Sequence, residues 1–108
     1  MEMLGQLYTF GIWTVHPGKE PEFKRLWDAF ARWSSQHQPG AGDARLVQDL
    51  EIPNRFISYG PWASTENILA WRATPEFKEF AAQAQEICAD FQPGRYKLVS
   101  YIPSGSEK

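Results

Sequence analysis

Apolar residues recur along this chain with two different periods. From Gln6 to Val15 they fall on both parities: Tyr8, Phe10 and Ile12 on one, Leu7, Trp13 and Val15 on the other. A strand that is apolar on both sides needs cover on both faces. Pro17-Gly18 ends it. From Glu20 to His37 the period lengthens. Phe23, Leu26, Trp27, Phe30 and Trp33 recur at three- and four-residue spacing, which makes one buried stripe of a helix. Pro21 suits the first turn, where its missing N–H costs little, and Glu20 and Glu22 suit the positive end of the helix dipole. Pro39-Gly40-Ala41-Gly42 stops the helix.

Ala44 to Ile52 then alternates, with Leu46, Leu50 and Ile52 against Arg45, Asp49 and Glu51, and predicts a strand with one more polar face. Pro53-Asn54 is a turn signal, so Arg55 to Trp62 returns as its hairpin partner. Ser64 is an N-cap for a short helix through Arg72, and Thr74-Pro75-Glu76 caps and starts another. Phe77, Phe80, Ala81, Ala84, Ile87, Cys88 and Phe91 form the apolar stripe of that helix, Pro93-Gly94 breaks it, and Tyr96 to Ile102 is expected as the last strand. The order is βαββαβ with the second helix broken in two. That order predicts an α+β, ferredoxin-like fold: an antiparallel four-stranded sheet with both helices on one face. The first strand is apolar on both sides, so the uncovered face calls for a second subunit. A homodimer closing into an α+β barrel is expected. Residues 1–103 are expected to form this one domain and 104–108 a disordered tail, being small, polar and terminal.

Composition narrows the function classes. At 108 residues the chain buries roughly 60–70% of its unfolded surface, enough for one domain but with little to spare. Five Trp, seven Phe and four Tyr are more aromatic area than so small a core needs, so some should line an interface or a cavity. Eleven basic and thirteen acidic residues give a net charge of −2 with no basic run, which argues against nucleic acid as a partner. A single cysteine, Cys88, cannot form an intramolecular disulfide and fits a reducing compartment. Neither a signal peptide nor a membrane span is recognisable, and a cytoplasmic protein is expected.

His16 and His37 lie in different elements, far from the lone cysteine, so no metal ligand spacing exists and none is expected to be bound. Cys88 sits on an apolar stripe and reads as a small hydrophobe. Gly40-Ala41-Gly42 lacks the Lys-Ser/Thr of a phosphate loop. His37, at a helix C-terminus, either complements the dipole or shuttles a proton at a pocket mouth. The remaining constellation is Trp62, Trp71 and Arg72, joined by Trp27 and Trp33 from the first helix. Two readings stand. The indoles seal the gap between helix and sheet, with Arg72 lying over an indole or reaching a carboxylate. Alternatively they line a pocket for a small hydrophobic or aromatic molecule, whose polar groups come from Asp49, Arg55 and Tyr59 on the middle hairpin.

Several pieces together resemble a known family: Val15-His-Pro-Gly-Lys-Glu-Pro-Glu-Phe23, the closing Pro39-Gly40, Asp49, and Trp62-Ala-Ser-Thr-Glu-Asn67 followed by Trp71-Arg-Ala-Thr-Pro-Glu-Phe77. They are similar to the antibiotic biosynthesis monooxygenase domain of the dimeric α+β barrel superfamily, over nearly the whole chain from Gln6 to Ile102. The resemblance implies a ferredoxin-like dimer with a pocket in each subunit. It also implies, for some members, oxygenation of phenolic or quinol substrates by O2 without metal or flavin. On that basis no cofactor is expected. Trp62 and Trp71 would sandwich the substrate, with Trp33 beside them. Arg72 or Arg55 would stabilise an enolate or phenolate oxygen, and Asp49, Tyr59 or His37 would accept a proton. Trp62 matches the family tryptophan that ends the third strand. Trp71 stands where many members carry a histidine, which removes the most obvious proton carrier. A haem-degrading branch takes its iron ligand from the second part of the broken helix; here that position falls at or beside Ala81, and no histidine follows His37. The implied function is a cofactor-independent monooxygenase, with a non-catalytic ligand-binding or stress-related dimer as the alternative.

Overall fold

The fold was obtained as a computed structural model, which describes residues 3–105. Strand β1 (Leu7–Val15) leads to helix α1 (Glu20–His37), then to strands β2 (Arg45–Gln48) and β3 (Arg55–Trp62). Helices α2 (Thr65–Arg72) and α3 (Pro75–Ile87) follow, and strand β4 (Cys88–Lys97) completes the sheet. The order β2-β3-β1-β4, with every pairing antiparallel, is the ferredoxin-like arrangement.

The break between α2 and α3 follows from two caps. Ser64 Oγ accepts the N–H of Asn67 at 3.1 Å, and Thr74 Oγ1 accepts that of Phe77 at 3.1 Å. Thr74 Oγ1 also donates to the Trp71 carbonyl at 2.7 Å, so one residue closes α2 and opens α3. One face of the sheet packs on the helices. Val15 and Phe23 are fully enclosed there, with Trp13, Phe56, Phe80, Ala84 and Ile87 around them.

Two elements differ from the sequence reading. Strand β2 stops at Gln48 rather than Ile52. Asp49 Oδ1 accepts the N–H groups of Glu51 and Ile52 at 2.7 and 2.9 Å, which curls the chain into a turn and leaves Leu50 98% exposed. The second difference is larger. α3 ends at Ile87, four residues before Phe91, and the last strand runs over Cys88–Lys97 rather than Tyr96–Ile102. Pro93 and Gly94 thus sit inside a strand. Proline is tolerated because β4 is an edge strand with a single neighbour. Phe91 gains more from the sheet than from a helix, since its ring stacks on Trp13 at 3.9 Å. Beyond β4, Leu98 exchanges backbone hydrogen bonds with Gln6 and Gly5, while Val99 and Ile102 are largely exposed. Of the expected tail, Ser104 and Gly105 form a turn and residues 106–108 lie outside the described residues.

Strand parity divides the sheet. Trp13 pairs across from Phe56, and Leu7 from Trp62, on the helix side. Phe10 pairs with Tyr59, and Ile12 with Ile57, on the other. On that open face Phe10 stacks on Tyr59 at 5.4 Å and meets Tyr96 edge-on at 5.2 Å, with no helix above them.

Candidate functional site

Between the helices and the covered face of the sheet lies a cavity of about 570 Å³, the size of a small-molecule site. The sheet contributes Trp13, Trp62 and Phe91, α1 contributes Trp27 and Phe30, and α2 and α3 contribute Trp71, Phe77 and Phe80. These rings brace one another. Phe30 lies flat on Phe80 at 4.2 Å and on Trp71 at 5.7 Å, and Phe77 meets Trp71 edge-on at 4.8 Å. Room for this packing on the sheet comes from Gly11, where a Cβ would lie 2.9 Å from the Phe91 ring, from Ser58 Oγ and from Trp13 Nε1.

The polar lining is sparse. Trp13 Nε1 donates to Ser58 Oγ at 3.0 Å, Trp62 Nε1 to Thr9 Oγ1 at 3.1 Å, and Trp71 Nε1 to Ser34 Oγ at 2.9 Å. Arg72 brings the guanidinium. Its Nε is buried with no hydrogen-bond partner, and no carboxylate pairs with it among the described residues. Burial, and secondarily the nearby Arg95 cation, push its pKa below the usual arginine value. It remains a cation. The carboxylates at the rim, Asp43 and Asp90, are exposed; the first faces Arg45 at 3.9 Å and the second accepts from Gln92 at 3.1 Å. Cys88 also borders the cavity, and burial pushes its thiol up to about 11, so it stays protonated at neutral pH.

The structure brings Trp62, Trp71 and Arg72 together at the cavity, but not as a sandwich. The two indole centroids are 4.7 Å apart, closer than the about 7 Å that a flat ring between them would require. They form one wall. The other sequence candidates lie elsewhere. Trp33 stacks on Phe30 and lies tilted beside His37 rather than lining the cavity, and His37 is exposed at the end of α1. Asp49 and Arg55 face each other at 3.9 Å at the far end of the β2–β3 hairpin. There the backbone N–H groups of Ile52 and Glu51, more than Arg55, hold the Asp49 carboxyl below its ordinary value. The Tyr59 backbone borders the cavity, but its ring stacks on Phe10 across the sheet.

Sequence reasoning missed Thr9, Ser34, Ser58, Trp13 and Phe91. Parity held part of the signal. Ser58 and Trp62 share a parity on β3, and Arg55 and Tyr59 have the other, so one face excludes the other pair. Ser34 continues the 4-3-4 spacing of Phe23, Trp27 and Phe30, a register that leaves Trp33 to one side.

Among the described residues no helix is long and apolar enough to cross a membrane, and no three His, Cys, Asp or Glu side chains group to hold a metal ion. The profile of the antibiotic biosynthesis monooxygenase family matches residues 10–83. Among solved structures, SnoaB, a cofactor-independent oxygenase from Streptomyces nogalater, superposes with a TM-score of 0.83 at 19% identity, over 93% of this chain and 99% of that one. A conserved protein from Methanosarcina mazei Go1 gives 0.79 at 19% identity over 88% and 94%. A candidate antibiotic biosynthesis monooxygenase from Bordetella bronchiseptica gives 0.78 at 20% identity over 89% and 99%. At such identities these likenesses establish the fold. No curated protein sequence matches the chain significantly.

Proposed function

Because the chain belongs to the antibiotic biosynthesis monooxygenase family, we propose that it is a cofactor-independent monooxygenase acting on a small aromatic or polyketide-like molecule. The observation that carries this reading is an aromatic cavity of about 570 Å³ with one unpaired cation, Arg72, at its wall. A phenolate or enolate oxygen beside Arg72 supplies the acceptor that its Nε lacks. The electron-rich ring then lies against Trp62 and Trp71 in a site poor in water. In the overall reaction an anthrone's ring CH2 becomes C=O, or a hydroquinone becomes a hydroxyquinone; in each, one oxygen atom of O2 stays on carbon and the other leaves as water. The four electrons taken from carbon reduce O2, so no further reductant enters. Asp49 and His37 are not among the lining residues and the Tyr59 ring stacks on Phe10, so this reading gives none of the three the role of base.

Oxygen uptake with a panel of hydroquinones and anthrones tests the reading. Uptake above background is expected, and Arg72→Gln is expected to lower kcat by about a hundredfold or more, the usual loss for one oxyanion donor. A second reading has its own support. Trp71 stands where relatives often carry histidine and is tied to Ser34 instead, which suits a binding protein that has lost the chemistry. Tight ligand binding without oxygen uptake would favour it.

We also infer that the open face of the sheet joins two copies of the chain. Ile12 is 38%, Val47 45% and Tyr96 59% exposed there, an aromatic and aliphatic surface beside the stacked Phe10 and Tyr59. Light scattering at micromolar concentration should give twice the chain mass; the monomer mass would end this inference.

A further inference from the structure

Three tryptophans of the cavity wall end on three hydroxyls: Ser58, Thr9 and Ser34. An indole N–H only donates, so in each pair the hydroxyl is the acceptor and keeps its own proton to give. Among the described residues none of these three hydroxyl protons has an acceptor. Ser34 is the clearest case. It is only 7% exposed and lies within α1, where a serine commonly returns its proton to the carbonyl four residues back. Here it does not. At Ser58, Gly11 leaves open the space that a Cβ would take from the hydroxyl. Arg72 adds a fourth donor with an unmatched Nε. Each of the cavity's inner polar side chains can thus give a hydrogen bond, and its two carboxylates, Asp43 and Asp90, are exposed at the rim.

We propose that the indole–hydroxyl pairs make Thr9, Ser34 and Ser58 specificity-determining donors. The cavity thereby selects a flat ligand in its ionised, acceptor-rich form, bearing carbonyl oxygens and one phenolate or enolate oxygen. Cationic amines are disfavoured beside the Arg72 guanidinium, because like charges repel there. The proposal rests on reading the cavity as the substrate site, but not on turnover.

Isothermal titration with three probes of similar shape tests this. At pH 7.5, 2-hydroxy-1,4-naphthoquinone (an anion at that pH), 1,4-naphthoquinone and naphthalene carry charged, neutral and no acceptors. Affinity is expected to fall in that order, by about tenfold or more at each step, as for ligands that satisfy or strand buried donors. Acidifying through the hydroxynaphthoquinone's own pKa should bring its affinity to that of the neutral quinone. Thr9→Val, which keeps shape, and Ser58→Ala should each weaken both quinones by about five- to tenfold while leaving naphthalene unchanged. Naphthalene serves as the check that each variant's cavity is intact. Equal affinity for all three probes, binding by none, or equal weakening of all three in the variants would overturn the proposal. Absence of oxygen uptake, with the binding order intact, would count against the monooxygenase reading alone.

Discussion

The two faces of this sheet are both rich in aromatic residues, and they keep their polar atoms in opposite ways. On the helix side Trp13 and Trp62 are each 5% exposed, and their indole N–H groups end on hydroxyls across the strands. On the other side Tyr8, Tyr59 and Tyr96 each pack on Phe10, and Tyr96 is 59% exposed. A face that is closed by its own chain can leave an internal void, because rigid rings propped on one another do not collapse into it. A face without helices has no such option and is left as surface. β1 serves both, since alternate residues of one strand point to opposite sides.

Substitutions that act on one face alone separate these roles. The largest effect is expected at Phe23, fully enclosed against Trp13 and Phe56. Phe23→Ala should cost about 3–5 kcal/mol, measured by urea unfolding, through lost burial and the void left behind. Ile12→Lys, on the open face, should leave the fold of each subunit intact. Light scattering should nevertheless show the mass halved, because a charge placed within an apolar interface has no partner. If the mass stays at the dimer value, the two copies meet elsewhere. The smallest effect concerns Cys88, at the edge of the helix side. Its folded pKa, raised from 9.0 to about 11, means that the unfolded chain loses the thiol proton first. The contribution is therefore complete below about pH 9 and lost as pH rises towards 11. Cys88→Ala should remove that component of the alkaline fall in stability, seen as a flatter midpoint-against-pH curve between those values.

Much of this was legible in the residues. The caps at Ser64 and Thr74, Pro21 in the first turn and the double-sided β1 place most elements, because each is a local signal with one physical cause. The last strand was not legible. Ile87, Cys88 and Phe91 continue the spacing of α3, and non-local interactions, the pairing with β1 and the stack of Phe91 on Trp13, decide against a longer helix. At the cavity, Trp62, Trp71 and Arg72 were legible because they stand out in type. Thr9, Ser34 and Ser58 are ordinary residues made notable by what reaches them from other elements, a fact that one sequence does not display.

No loop separates α3 from β4: Ile87 is the last helical residue and Cys88 the first of the strand. His16 N–H donates to the Ile87 carbonyl at 2.9 Å, and Val15 pairs with Cys88, so the seam is fastened on both sides. For anyone diversifying this scaffold by insertion, that junction is closed. One added residue would turn Phe91 to the opposite side of the sheet and unmake the stack on Trp13. The turn between β2 and β3 offers the better place to graft new length, since Leu50 at its tip is 98% exposed.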